Sequence, residues 1–241
     1  MTIPQGAATT RELVVLDFET TGLMPAFDRT IEVAATLLVD QRPVETFHQL
    51  MHPGMRLPPF ITSLTGITEA MLDGQPRPEQ VMPRLRQFVR GLPIVAHNAA
   101  FDRSFLRSEL ARAGLPFDNE FLCTMRLARR LAPGLPSYRL DALVDSLAVR
   151  SPDAWQFHRA AADVNHTIAI WQNLHARFSE QTGLHETLVD SLGILMRKPK
   201  KQVPKYLASL RAAGQTGDIN KAYDRLANLP GTGATTNESG E

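Results

Sequence analysis

The stretch Leu13-Val14-Val15-Leu16-Asp17-Phe18-Glu19-Thr20-Thr21-Gly22 constrains this chain more than any other. A short apolar run rich in β-branched residues reads as a buried strand. It ends in carboxylates at i and i+2, which a strand places on one face ~7 Å apart. Two acids so placed at the end of a hydrophobic strand repel each other unless a cation lies between them. Asp17 and Glu19 are therefore candidate divalent-metal ligands, provided the rest of the chain supplies matching groups.

At 241 residues the chain can build one sizeable core with a small appendage. No apolar stretch reaches the length of a membrane span. The first twelve residues show no basic-then-apolar pattern, so no secretory signal is expected. A lone cysteine, Cys123, excludes an internal disulfide and a multi-thiolate zinc site. It fits a reducing compartment, and the expected location is the cytoplasm. A net charge of +1 neither demands nor excludes a polyanionic partner.

Leu13 to Phe18 and Ile31 to Val39 read as strands. Asp40-Gln41-Arg42-Pro43 is a turn into a third strand, Val44 to Met51. A Pro/Gly-rich stretch runs from His52 to about Gly66, with a short helix after Thr68. Pro78 and Gly91 bracket a helix carrying Val81, Leu85, Phe88 and Val89. A short strand at Pro93 to Ala96 leads to a helix from Ala99 to Ala113, and further helices are predicted at Met125 to Leu131, Leu140 to Ala148 and Arg159 to Phe178. Strands first, then strands alternating with helices, indicate an α/β domain with a mixed central sheet. It closes near Glu180. Beyond it lie a basic run (Arg197, Lys198, Lys200, Lys201, Lys205) and two amphipathic segments, Val203 to Ala212 and Ile219 to Leu229. The Gly/Thr/Asn/Ser-rich residues from Gly231 onward are expected to be disordered.

Asp102 falls where a strand gives way to a helix, the usual edge for a site in such a sheet. Asp163 opens the long helix and His158 precedes it. Five helical residues rotate a side chain by about 140°, so the two can share a site only if His158 lies in the loop before the helix. Asp17, Glu19, Asp102 and Asp163 would supply the oxygen ligands that two Mg²⁺ or Mn²⁺ ions about 3.5–4 Å apart require, with His158 as general base. That set suits two-metal phosphodiester hydrolysis. Each residue also has a plainer reading: strand-end acid for Asp17, turn or cap for Glu19, helix N-terminal charge for Asp102, helix-face charge for Asp163, surface histidine for His158. His97 and Asn98 read as structural residues of the strand–helix junction.

These residues resemble the motifs of the DEDDh 3′-to-5′ exonucleases. Asp17-Phe18-Glu19-Thr20-Thr21-Gly22, His97-Asn98-Ala99-Ala100-Phe101-Asp102 and His158 to Asp163 occur in the family's order. Between them, Thr65-Gly66-Ile67-Thr68 and Tyr138-Arg139-Leu140-Asp141-Ala142-Leu143 resemble its linking segments. The resemblance implies an RNase H-like α/β fold over residues 11–180, with residues 181–241 as a basic helical extension. It also implies four metal-binding carboxylates (Asp17, Glu19, Asp102, Asp163), His158 as base, and release of nucleoside 5′-monophosphates from a 3′ end. It places Thr20, Gly66 and Ile67 near the terminal nucleotide, with Asn98 and Phe101 as further substrate contacts. Phe101 is either a core residue beside the metals or an aromatic platform for a base.

The expected partner is the 3′ end of single-stranded or frayed DNA, in repair or proofreading. RNA or short oligonucleotides stand as the alternative substrate, and small phosphodiesters as a third. A non-catalytic module that binds nucleic acid or a replication protein is the reading from another class. Gln181-Thr182-Gly183-Leu184 loosely resembles a clamp-binding peptide, although His185 replaces its usual bulky ending. The basic run beyond it suits either a nucleic-acid backbone or a solvated linker.

Overall fold

A computed structural model describes residues 9–151, 157–185 and 187–216. The predicted helix at Ile219 to Leu229 and the tail from Gly231 lie outside the described residues. Five strands form the main sheet: β2 (Glu12–Thr20), β3 (Thr30–Val39), β4 (Arg42–Leu50), β5 (Ile94–Ala96) and β6 (Phe121–Cys123). Their order is β4-β3-β2-β5-β6. The three N-terminal strands pair antiparallel, whereas β2–β5 and β5–β6 are parallel, so the sheet is mixed as expected. A two-stranded ribbon joins β1 (Thr9–Thr10) to β7 (Thr187–Leu188).

The turn between β3 and β4 is a two-residue one. Asp40 and Gln41 both have positive φ (48° and 66°), the backbone that a tight hairpin matched to strand twist requires. The stretch after β4 contains a helix that its prolines conceal, α1 (Pro59–Thr65), as well as the expected short one, α2 (Glu69–Leu72). Pro59 occupies the first helical turn, where its missing N–H would have no partner anyway. The chain continues through α3 (Pro78–Val89), α4 (Ala100–Arg112), α5 (Thr124–Leu131), α6 (Leu140–Ser146) and α7 (Ala160–Thr182), all close to their predicted places.

Side-chain alternation along β2 divides the core. Val14, Leu16 and Phe18 pack with α3 and α4 through Val81, Leu85, Phe105 and Leu106. Leu13 and Val15 face Trp171 and Leu174 of α7 and the helices around it. Asp17 and Glu19 continue the Leu13/Val15 face, so period-2 geometry alone aims them at α7.

After α7 the chain forms α8 (Val189–Arg197), a short 3₁₀ turn (Lys200–Gln202) and α9 (Val203–Thr216). Leu192, Leu195, Tyr206, Leu207 and Leu210 are buried in the same cluster as Trp171 and Phe178. Strand β6 is an edge strand, and an edge leaves unpaired N–H groups. Here the Cys123 N–H meets Met196 Sδ at 3.0 Å, and Arg130 Nε donates to the Lys198 carbonyl at 2.8 Å. Helix α8 thus covers that edge. Gln181 and Thr182 end α7, Gly183 caps it with φ of 72°, and Leu184 is buried. Among the described residues no helix is long and apolar enough to cross a membrane.

Candidate active site

Strand β2 carries Asp17 and Glu19 to the carboxyl edge of the sheet, and α7 brings Asp163 over them. One ligand atom from each of the three lies within 4.8 Å of the others. Asp17 and Glu19 are half-buried and Asp163 is buried. Asp163 Oδ2 accepts the His158 N–H at 3.2 Å, while its buried Oδ1 has no hydrogen-bond partner. A buried carboxylate oxygen with nothing to accept is costly to leave so. The donor set is all oxygen and all acidic, the chemistry a hard divalent cation selects.

Asp102 stands beside this trio. It opens α4 just beyond β5, which ends at Ala96. Along β2, the Val14 N–H is directed to Pro93 at the start of β5. Four residues on, the Phe18 N–H points to the same side but past the end of that strand, and Asp102 Oδ1 accepts it at 3.2 Å.

Electrostatics are strained throughout. Burial, then Asp102, Asp163 and Glu19, hold Asp17 well above the carboxylate range. Burial and the charges of Asp163, Glu32 and Asp102 push Glu19 up to about 8, against a lowering by Arg159. Burial takes Asp102 to about 8 despite the Phe18 N–H, and takes Asp163 to about 7 despite the His158 N–H. Such crowding favours protons or cations in the site.

His158 sits in the loop before α7 with φ of 61°, the position that a site shared with Asp163 would need. Its neighbour Phe157 stacks on His166 with ring centroids 4.5 Å apart. Thr20 is buried, and its hydroxyl donates to the Gly22 carbonyl. Gly22 leaves room for the Asp28 carboxylate: a Cβ there would lie 2.5 Å from Asp28 Oδ2, so that side chain would have to shift. Asn98 is exposed with φ of 56°, and its carbonyl accepts the Phe101 N–H. Phe101 is half-buried against Phe105, centroids 4.8 Å apart, on the α3–α4 core. Gly66 is exposed and caps α1 at φ of 72°. Ile67 is fully buried with Ile31, Ile61 and Leu72, so its side chain presents nothing to a base. His97 is fixed between Thr124 and the Tyr138 carbonyl, and burial lowers it to about 4.

Sequence reasoning passed over Glu32. Its side chain is fully buried, yet burial is outweighed by hydrogen bonds from His48, Arg159 and the Ala160 N–H, which hold it at about 2. The available signal was a lone acid inside an otherwise apolar strand.

A mixed sheet whose strand ends and covering helix gather acidic side chains defines the class: an RNase H-like domain with an acidic centre. The chain belongs to the DEDDh exonucleases; the exonuclease family model matches residues 14–171. It is 33% identical over 216 residues to a DNA polymerase III PolC-type of Caldanaerobacter subterraneus subsp. tengcongensis, covering 90% of this chain and 15% of that protein. It is 36% identical over 163 residues to the 3′-5′ exonuclease DinG of Bacillus subtilis, covering 67% of this chain and 17% of that one. This chain therefore spans less than a fifth of these curated relatives. A solved structure of exonuclease X with 5′ overhanging duplex DNA is similar at a TM-score of 0.58 and 30% identity, covering 75% of this chain and 98% of that chain.

Proposed function

We propose that this protein is a 3′-to-5′ exonuclease that removes nucleoside 5′-monophosphates from single-stranded or frayed DNA ends, in repair or proofreading. The observation that carries the reading is the convergence of Asp17, Glu19 and Asp163 within 4.8 Å of one another. With Asp102 they would hold two Mg²⁺ or Mn²⁺ ions. Bound there, such ions would supply Lewis acidity, polarising the phosphodiester and lowering the pKa of water so that it attacks as hydroxide. His158, the one imidazole of the set, would take the proton from that water as general base. Its backbone N–H donates to Asp163 Oδ2, which ties the loop carrying the base to a proposed metal ligand.

The turn after Glu19 exposes Leu23, Met24 and Phe27, at 81%, 57% and 73%. Apolar side chains displayed beside an acidic centre suit bases rather than phosphates, which favours a strand end whose bases are unpaired. Thr20 and the Gly66 backbone are the assigned contacts to the terminal nucleotide, with Asn98 and Phe101 flanking it. DNA is chosen over RNA because the solved relative holds DNA.

Residues 11–180 form the catalytic domain in this reading, and 181–241 an extension. The cover that α8 gives to β6 supports a structural role for its described part. A replication partner would use the outer surface of this extension, since Leu184 of the clamp-like peptide is buried. The protein works in the cytoplasm, where the buried thiol Cys123 stays reduced.

Matched DNA, RNA and dinucleotide substrates carrying 3′ or 5′ labels test the proposal. It expects mononucleotides from the 3′ end, only with Mg²⁺ or Mn²⁺, and fastest on DNA. An active preparation that favours RNA would reassign the substrate, and one that degrades none of them would sink the reading. His158→Ala should lower turnover on the order of a hundredfold while cation binding survives.

A further inference from the structure

The register of β2 and β3 creates a conflict. Glu19 lies directly opposite Glu32 in the antiparallel pair, so both side chains rise from the same face about 5 Å apart at Cβ. Like charges in that arrangement destabilise a sheet. The two acids are nevertheless treated differently. Arg159 Nε donates to Glu32 Oε2 at 3.1 Å and its Nη2 to Oε1 at 2.8 Å. The Ala160 N–H donates to Oε2 at 3.0 Å, and His48 Nε2 lies 2.8 Å from Oε1. None of these groups donates to Glu19. Glu32 is thereby withdrawn from the acidic centre and Glu19 is left to it.

Two of the groups bound to Glu32, the Arg159 guanidinium and the Ala160 N–H, come from the start of α7, next to Asp163 and His158. Arg159 is the N-cap of α7 and Ala160 its first residue. A helix start leaves its N–H groups without partners, and frays unless something accepts them. Here it follows His158, whose left-handed backbone is itself a strained conformation for a non-glycine residue. Glu32 belongs to β3, an interior strand of the sheet, and supplies the fixed acceptor.

We propose that Glu32 and Arg159 are a positioning pair, which clamps the start of α7 to the sheet and so sets Asp163 and His158 against Asp17 and Glu19. The inference rests on the reading of the site as a metal-dependent nuclease, but the clamp itself can be observed without metal or substrate.

Glu32→Gln keeps the side-chain shape and one acceptor while losing the ion pair. In the metal-free protein, amide hydrogen exchange at Arg159 to Asp163 should rise about tenfold, with β2 and β3 unchanged. With saturating Mn²⁺ and a single-stranded oligonucleotide, kcat should fall by about tenfold or more, because small misplacements of reacting groups are costly, while KM stays within about twofold. Arg159→Lys keeps the charge but cannot form the two-pronged bond. It should shift both readouts in the same direction and serves in place of Glu32→Gln if that variant does not fold. Unchanged exchange at the start of α7 would overturn the proposal. So would a kcat within about twofold of the parent. Faster exchange in a protein whose parent degrades no nucleic acid would confirm the clamp and refute the nuclease reading instead.

Discussion

Two partly buried acidic clusters lie near the carboxyl end of β2, and they are built on opposite principles. Around Glu109 of α4 every charge is answered. The fully buried carboxylate accepts Arg29 Nε at 3.0 Å and the Thr30 N–H at 3.1 Å, with Arg112 Nη1 3.3 Å away. Arg29 also reaches Glu79 at 2.6 Å. This cluster ties α3 and α4 to the loop before β3. Beside Asp17, Glu19 and Asp163, Arg159, whose charge reaches Glu19, is engaged by Glu32. A chain that sets arginines against one acidic cluster leaves the other uncompensated. That imbalance marks the second as a place for a cation the chain does not itself encode.

The largest expected effect breaks the second cluster. Asp163→Asn should reduce metal-dependent turnover on the order of a thousandfold, since cation stabilisation of the transition state amounts to several kcal/mol. The metal-free fold should be retained or stabilised, because one repelling charge is gone. Turnover near that of the parent would remove Asp163 from the ligand set.

Breaking the first cluster should do the reverse. Glu109→Gln leaves Arg29 with only Glu79, and loss of one partner from a buried pair costs about 3–5 kcal/mol. At roughly 2–4 °C per kcal/mol for a chain of this size, thermal midpoints should fall by about 10 °C, with activity per folded molecule preserved. A loss of activity without loss of stability would contradict the division between the clusters.

The smallest effect sharpens the comparison through pH. Glu19, Asp102 and Asp163 sit at about 8, 8 and 7 in the folded chain, above their usual values of 4.5, 3.8 and 3.8. Groups raised on folding contribute stability below their ordinary pKa and lose it as pH rises through the folded one. The metal-free midpoint should therefore fall from about pH 5 to about pH 9, and saturating Mg²⁺ should flatten that slope. Glu32 works in the opposite sense at low pH: held at about 2, its contribution is complete above its usual 4.5 and disappears towards 2. A flat metal-free profile between about pH 5 and 9 would mean the carboxylates are not crowded as described.

The half of the site that reads in the sequence is the half built from local rules. Period-2 alternation places Asp17 and Glu19 on one face, and helix rotation lets His158 share a site with Asp163 only from the loop ahead of it, where His158 lies. The strand–helix junction marked Asp102, now in the first turn of α4. What stayed hidden depends on partners distant in the chain. Glu32 meets Arg159 across 127 residues, and Glu109 meets Arg29 across 80. Neither spacing leaves a pattern. Ile67 was expected at the nucleotide but is core, because burial there is set by Ile31 and Leu72 from two other segments. Strand β6 has three residues, too few to show alternation, and α1 is masked by its prolines. Helix α8 owes its place to the sheet edge it covers.

The claim that the uncompensated cluster is a divalent-cation site is tested most directly by calorimetric titration of Mn²⁺ into the metal-free protein and into Asp163→Asn. The account predicts about two ions bound per chain in the parent and clear loss of binding in the variant. No binding by a folded parent, or equal binding by the two proteins, would contradict it.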